Sequence, residues 1–176
     1  MKRWLLILAA ALLLCTSGCA RSAPSAEELR QRATADFTST ARVEYGELEA
    51  RLTLDRRDSV CTVELTEPEQ VRGLQFVFGG ELVTVTYGDV SFELDPESLP
   101  VQAAAGAMVT AVNNALQPFG VEVTAAEDHV ELSGDAEAGR FLLRLDPVTG
   151  CYLSVELPDS GFSAEFENFE FLPAAG

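Results

Sequence analysis

The feature that most constrains the fold is an alternation of apolar and polar residues, which runs through most of the chain from residue 40 onward. In the segment 47–54, leucine or alanine occupies each even position, and a charged residue or threonine occupies each odd one. Successive side chains of a β-strand point to opposite faces, so this period of two predicts a strand with one buried face. The same pattern recurs in 59–66, 74–78, 81–87, 90–94, 121–123, 130–132, 141–145, 151–157 and 162–171.

Short polar or glycine-containing segments separate these strands, as expected for hairpins. Asp55 to Asp58 forms a predicted polar turn, and Gly79-Gly80 a turn that tolerates positive φ. In the last segment the phase slips by one residue near Asn168, which predicts a β-bulge. About ten amphipathic strands joined in this way predict a strongly curved antiparallel sheet.

Two helices are predicted. Ser25 and Glu28 form a capping box, which starts a short polar helix at Ala26 that we expect to run to about Asp36 and to pack loosely. A longer helix begins near Pro100 and stops before Pro118. Its apolar residues recur at spacings of three and four, as in Met108 and Val112. A sheet with one apolar face must bury that face against another element. We therefore predict an α+β, β-rich domain over residues 25–176, in which a strongly curved antiparallel sheet is covered on its concave face by one long helix.

The N-terminus resembles a bacterial export signal. Lys2 and Arg3 precede a short apolar run that ends at Leu14, which is too short for a comfortable membrane span. Thr16-Ser17-Gly18-Cys19 follows and is similar to the lipobox, although Thr16 replaces the usual leucine. We expect residues 1–18 to be a signal peptide, Cys19 to carry the lipid and 19–24 to be a linker. Ordinary cleavage after Gly18 or Ala20 is the alternative.

Charge and cysteine content limit the possible partners. The formal charge is −16, and Lys2 is the only lysine, so a basic patch for nucleic acid is not expected. Cys61 and Cys151 remain besides the candidate lipid site. They allow either a disulfide, which export permits, or two buried free thiols. Neither belongs to a zinc-binding pattern, so no metal site is predicted.

Catalytic motifs are not found in the sequence. His129 is the only histidine and follows two acidic residues in a turn, a setting typical of a solvated side chain. No Gly-x-Ser-x-Gly nucleophile elbow and no phosphate-binding glycine loop is present. The abundant carboxylates lie at outward strand positions. We therefore predict a protein that is not an enzyme and that uses no cofactor.

The order of these elements resembles the Lol-type lipoprotein carriers and the LppX/LprG-type lipoproteins, most closely an uncharacterised Gram-positive branch. The similarity is carried by Gly73-Leu74-Gln75-Phe76, Gly79-Gly80, Tyr87-Gly88, Leu99-Pro100 and the closing Phe166-Glu167-Asn168-Phe169. It covers roughly residues 36–172. It implies an unclosed half-barrel with helices on its concave side and a hydrophobic cavity that receives acyl chains.

The resemblance implies a membrane-anchored extracytoplasmic lipoprotein that binds acyl chains or lipidated partners. The cavity residues that it implies are the inward apolar side chains Leu52, Leu54, Val63, Leu65, Phe76, Phe78, Phe92, Met108, Val112, Phe141, Leu143, Leu153 and Val155. The same side chains also fit a filled core, because periodicity does not distinguish a cavity from packing. The alternative function is therefore a structural or protein-interaction lipoprotein without a ligand. The anchor would lie in the cell membrane, or in an outer membrane if the organism has one.

Overall fold

The computed structural model describes residues 24–95, 104–115, 120–136 and 139–173. Its strands are β1 (Phe37–Tyr45), β2 (Leu48–Arg57), β3 (Val60–Glu67), β4 (Gln75–Phe78), β5 (Val83–Tyr87), β6 (Val90–Leu94), β7 (Val121–Ala125), β8 (Val130–Ala136), β9 (Gly139–Leu145), β10 (Tyr152–Leu157) and β11 (Phe162–Phe171). Within the described ranges these eleven strands form one antiparallel sheet in the order β6-β5-β4-β3-β2-β1-β11-β10-β9-β8-β7.

The sheet is curved, as the strand pattern predicts, and it does not close, as the resemblance implies. Its first strand, β1, pairs with its last, β11, at the centre of the sheet. From this centre the chain builds one half through β1 to β6 and the other through β7 to β11. Among the described strands, β6 and β7 are the two edges. The architecture is the predicted β-rich half-barrel.

The hairpin between β2 and β3 is tighter than the sequence predicts. Strand β2 continues through Arg57, and Arg57 pairs with Val60 across a turn made by Asp58 and Ser59 alone. These two residues adopt φ of 48° and 71°. The prediction of a polar turn over Asp55 to Asp58 is therefore wrong, because a two-residue turn with positive φ at both positions suffices to join twisted strands.

The Gly79-Gly80 turn is present, but its glycines serve a different purpose from the one predicted. Neither has positive φ, and the connection between Phe78 and Val83 spans four residues. A Cβ atom at Gly79 would lie 2.7 Å from Val60 Cγ2. Gly79 is thus required by the close approach of the Val60 side chain and not by backbone conformation.

The helices are α1 (Ala26–Ala33) and α2 (Ala104–Ala115), and Glu69–Val71 and Pro158–Ser160 form single 3-10 turns. The capping box of α1 is confirmed: the Ser25 hydroxyl accepts from the Glu28 N–H at 3.2 Å, and Glu28 Oε2 accepts from the Ser25 N–H at 2.7 Å. None of the described helices has the length and apolar character that a membrane crossing requires. The predicted signal peptide, Cys19, and the helix limits at Pro100 and Pro118 lie outside the described residues.

Candidate functional site

One face of the sheet carries the core, and we call it the inner face. Strand register aligns small and branched side chains into a row that crosses six neighbouring strands. In spatial order the row is Leu132, Leu143, Val155, Ala164, Val43 and Ala50. All of these residues are buried. The alternation along each strand thus becomes an uninterrupted apolar strip across the sheet.

Helix α2 covers one half of the inner face. It lies against β8, β9, β10 and β11, which are the strands contributed by the second half of the chain. Met108, Val109 and Val112 are buried between the helix and these strands, whereas Thr110 is exposed. The spacing of Met108 and Val112 places both on the same helix face. The predicted cover of the sheet is therefore present.

Four aromatic rings pack together on the inner face at the centre of the sheet. Phe37 of β1 stacks on Phe169 of β11 with ring centroids 4.7 Å apart, and Tyr152 of β10 lies 4.9 Å from Phe169. Phe166 meets the edge of Tyr152 at 5.4 Å. Such tilted and offset contacts stabilise beyond simple burial. The cluster joins the two halves of the sheet.

A β-bulge in β11 brings Phe169 into this cluster. The pairing of β1 with β11 shifts between Thr38 and Thr40, so that Asn168 and Phe169 together face Ser39. Asn168 adopts φ of 52°. In a regular strand, residues three apart point to opposite faces, so without the bulge Phe169 would point outward while Phe166 points inward. The predicted phase slip is thus confirmed.

Hydroxyl groups satisfy the backbone at the bulge. The Glu167 carbonyl accepts hydrogen bonds from Ser39 Oγ at 2.9 Å and from Thr40 Oγ1 at 3.0 Å. Asn168 Nδ2 donates to Thr40 Oγ1 at 3.1 Å. The two hydroxyl groups and the Asn168 amide thus tie β1 to β11 at the point where the register shifts.

Polar contacts on the inner face hold helix α1. The buried Tyr152 hydroxyl donates to the Ala33 carbonyl at the end of α1, and Arg56 Nη1 donates to the same oxygen at 3.5 Å. Burial raises the pKa of Tyr152 above its ordinary value. Leu29 and Ala33 are buried, so the prediction of a loosely packed helix is wrong. The helix is held against the core because Tyr152 and Arg56 donate hydrogen bonds to the carbonyl of its last residue, Ala33.

Strands β4, β5 and β6, which we call the wing, form the other end of the inner face. Val83 and Val85 of β5 are buried there, and Phe76 and Phe78 of β4 are half-buried. Val85 pairs with Phe76 on one side and with Phe92 on the other, so all three face inward. Phe92 nevertheless remains 47% exposed. The apolar inner face is therefore open to solvent at β6.

The predicted cavity residues fall into three groups by burial. The fully buried group is Leu52, Leu54, Val63, Met108, Val112, Phe141, Leu143 and Val155. The half-buried group is Leu65, Phe76 and Phe78. Phe92 and Leu153 are exposed, at 47% and 40%. The structure thus brings all but the last two into, or directly against, one apolar interior.

Leu153 lies outside this interior because β10 contains an irregularity that the sequence analysis missed. Tyr152 pairs with Leu145 and Ser154 with Arg144, so Leu153 is the extra residue between them. Tyr152 takes the buried position instead. The sequence analysis expects Cys151, Leu153 and Val155 to point inward. Of these only Val155 is buried, so the expectation is wrong for Cys151 and Leu153.

Cys61 and Cys151 are free thiols, so the disulfide that the sequence allows between them is not formed. Cys61 is buried and Cys151 is half-buried. Burial disfavours the thiolate and raises the pKa of Cys61 to about 11. A buried thiol with a raised pKa is a packing residue and a poor nucleophile.

The outer face of the sheet is charged. Arg144 lies between Glu131, at 3.2 Å, and Glu156, and Glu167 contacts both Arg42 and Arg51. His129 Nδ1 lies 2.8 Å from Asp128, a neighbour that is itself largely exposed. Among the residues that the structure describes, no group of three or more His, Cys, Asp or Glu side chains is arranged to hold a metal ion. These ion pairs follow the strand register and fit a solvated face.

Together these features define an unclosed half-barrel with an apolar inner face, one covering helix and a charged exterior. No family model matches the chain, and no curated protein matches it in sequence. Solved structures do match. An uncharacterized conserved protein from Thermus thermophilus has a TM-score of 0.53 at 13% identity, over 86% of this chain and 90% of that one.

Two further solved structures match the chain. One belongs to the complex of the CwlD amidase from Clostridioides difficile with the GerS lipoprotein, with a TM-score of 0.52 at 15% identity over 85% of this chain and 97% of that one. A LolA superfamily protein from Nitrosomonas europaea matches with a TM-score of 0.43 at 14% identity, over 87% and 96%. The fold of this chain is therefore shared with the Thermus thermophilus protein and with the structure from the CwlD–GerS complex. At these identities the likeness concerns the fold alone.

Proposed function

We propose that this chain is a membrane-anchored extracytoplasmic lipoprotein that binds acyl chains, or the acyl chains of lipidated partners, on its inner face. The observation that carries the proposal is the unequal cover of that face. Helix α2 lies over β8 to β11, whereas the inward Phe92 of the wing is 47% exposed beside half-buried Phe76 and Phe78. An inward-facing apolar surface that remains exposed to solvent is typical of a site that binds apolar ligands.

The physical driving force is the removal of hydrocarbon from water. Each buried CH₂ group of an acyl chain contributes about 0.8 kcal/mol, and apolar protein surface contributes about 25 cal/mol per Å². Such binding requires neither a charged contact nor a catalytic group. It suits a wing in which phenylalanine and valine form the inner side chains.

The proposed anchor is separate from the ligand. Residues 1–18 act as the signal peptide, and residues 19–24 form the lipidated N-terminus and linker, with Cys19 as the acylated first residue. Stable anchoring takes at least two hydrocarbon chains, which a diacylglyceryl thioether with an added N-acyl group provides. Cleavage after residue 18 removes Lys2 and Arg3, so the formal charge changes from −16 to −18, which would keep the domain away from anionic headgroups. The acyl-binding surface would then be held near a membrane without lying in it.

Binding is tested by titrating the full chain, in mild detergent, with a fluorescent fatty acid. We expect saturable binding that Phe92→Asp weakens about tenfold or more, because one carboxylate opposes burial of the chain at the open end of the inner face. Val148→Asp is the matched control, since Val148 is 67% exposed and lies in the turn between β9 and β10. Val112→Arg tests the helix side. Equal binding by the wild type and by folded Phe92→Asp would contradict the proposal.

Anchoring is tested by metabolic labelling with an alkyne analogue of palmitate. We expect the label on the wild-type protein and its loss in Cys19→Ala, whereas Cys15→Ala retains it. Label that persists in Cys19→Ala, or wild-type protein recovered without label, would refute the anchor. The result is independent of the ligand, because residues 1–24 precede the half-barrel.

A second candidate function is a protein-interaction lipoprotein with a filled core. It is favoured by the likeness to a structure in which an amidase and a lipoprotein form a complex. This alternative predicts a protein partner recovered by crosslinking at the membrane, together with no saturable fatty-acid binding. The titration with Phe92→Asp therefore separates the two functions.

A further inference from the structure

The edge strand β6 offers unpaired backbone groups. Tyr87 and Val90 pair across the two-residue turn at Gly88 and Asp89, which makes them the first hydrogen-bonded pair of the hairpin. Hydrogen-bonded pairs alternate along an antiparallel ladder, so Ser91 and Glu93 direct their N–H and C=O groups away from β5. Among the described strands none pairs with β6 on that side. Such an edge is a template for a further strand.

Apolar side chains flank this edge on the inner side. Val90 is 63% exposed and Phe92 is 47% exposed, although both belong to a regular strand. Natural edge strands are commonly protected by lysine, proline or a bulge. Strand β6 has no lysine, proline or bulge within Val90–Leu94, and its one charged side chain, Glu93, lies on the outer side. Its exposed apolar row therefore remains available for contacts with an added strand.

Acidic side chains mark the outer side of the same edge. A surface concavity of about 430 Å³ is lined there by Val60, Val77, Gly79, Gly80, Glu81, Leu82, Thr84 and Glu93. The two carboxylates are its only charged groups, and Glu93 belongs to β6 itself. An exposed leucine, Leu82, and Val60 supply apolar surface beside them. The concavity thus fits a side chain with an apolar stem and a cationic head.

We propose that β6 is a docking edge for an extended, basic segment of a partner protein, which adds to the sheet as a further strand. Backbone groups of Ser91 and Glu93 would bind the segment, its inward apolar residues would cover Val90 and Phe92, and its outward Lys or Arg residues would meet Glu93 and Glu81. Main-chain bonds give affinity in this mode of recognition, and alternate side chains give specificity. This inference goes beyond acyl binding and does not depend on it.

A second copy of this chain is the less suitable occupant. The chain carries a formal charge of −16, and the opposite edge strand, β7, contributes an exposed Glu122 and no basic residue in Val121–Ala125. Joining two such edges would place like charges opposite each other, which destabilises strand pairing. The observed charge pattern is complementary to a basic partner instead.

The test uses the full chain in mild detergent and a labelled peptide, acetyl-Val-Lys-Val-Arg-Val-Lys-Val-amide. Fluorescence anisotropy should show saturable binding, and amide hydrogen exchange should slow at residues 91 and 93. Two control peptides follow from the proposal. Replacing the basic residues by glutamate removes the charge complementarity, and N-methylation of alternate residues removes the backbone donors. Both should abolish binding.

Two variants identify the edge. Glu93→Lys should weaken binding about tenfold at low ionic strength, because it reverses the charge opposite the peptide. Ser91→Pro should abolish binding, since proline is tolerated on an edge but removes the outward N–H. Glu122→Lys on β7 is the matched control and should leave affinity unchanged. All of these positions lie away from the inner face, so fatty-acid binding should be unaffected.

Several results would overturn the proposal. Wild-type protein that does not bind the basic peptide would do so, as would equal affinity for the glutamate peptide. Amide exchange at residues 91 and 93 of the wild type that stays unchanged when the peptide is added would also overturn it. This result does not depend on whether any variant folds. If Ser91→Pro instead abolished a concentration-dependent dimer of the chain, the occupant would be a second copy and the proposed basic partner would be wrong.

Discussion

Asn168 offers a test of how the bulge in β11 supports the aromatic cluster. Its φ of 52° lies in the left-handed region, which glycine adopts freely and β-branched residues resist. We compare Asn168→Val with Asn168→Gly. Both variants lose the hydrogen bond from Asn168 Nδ2 to Thr40 Oγ1, so the difference between them reports on the backbone conformation alone.

The expected difference follows from that conformation. A non-glycine residue in the left-handed region costs about 1–2 kcal/mol, and the β-branched valine lies at the upper end of this range. The greater backbone freedom of glycine in the unfolded chain offsets about 0.5–1 kcal/mol of this difference. We therefore expect Asn168→Val to be about 1 kcal/mol less stable than Asn168→Gly. For a domain of this size this corresponds to a Tm lower by about 2–4 °C.

The assay is thermal unfolding followed by far-UV circular dichroism, with urea unfolding to obtain the free-energy difference. Near-UV signals from Tyr152 and Phe169 should also weaken more in Asn168→Val, because the bulge positions Phe169 against Tyr152. If Asn168→Val were as stable as Asn168→Gly, the bulge would not require a left-handed residue. The account of how Phe169 reaches the inner face would then be wrong.

Three further predictions concern stability. Tyr152→Phe removes the hydroxyl that binds the Ala33 carbonyl and should lower stability by about 1 kcal/mol in urea unfolding; no change would show that Arg56 alone satisfies that carbonyl. Because burial raises the pKa of Cys61 from 9.0 to about 11, the thiol favours the folded state fully below pH 9 and progressively less as pH rises through 11. Wild type should therefore lose about 2–3 kcal/mol more than Cys61→Val between about pH 8 and about pH 12, and parallel pH profiles would refute this. Ser25→Ala removes the cap of α1 and should cost about 1 kcal/mol, with faster amide exchange at residue 28; unchanged exchange would contradict the role of the cap.

The sequence predicts the amphipathic strands of the sheet well because strand alternation is a property of the backbone. A side-chain period of two assigns residues such as Val63 and Leu143 to the buried face without knowledge of their neighbours. The phase slip at Asn168 was visible because phenylalanines occur on opposite phases before and after it. The capping box at Ser25 was equally local and equally predictable.

Features that depend on contacts between distant segments were not predictable in this way. Tyr152 and Leu153 are adjacent apolar residues, so alternation does not reveal which one faces inward; the pairing with β9 decides it. Arg56 was assigned to a polar turn, although β2 carries it onto the inner face beside the end of α1. Alternation also assigns Phe92 to the inner face without revealing that this end of the face is exposed.

The most direct test of the account is native mass spectrometry of the full chain, extracted from its own membrane in mild detergent. We predict the mass of residues 19–176 acylated at Cys19 plus a non-covalent acyl lipid, which is released at higher collision energy and is absent from Phe92→Asp. A spectrum that contains the acylated chain alone, unchanged by Phe92→Asp or by added fatty acid, would contradict acyl binding by the inner face.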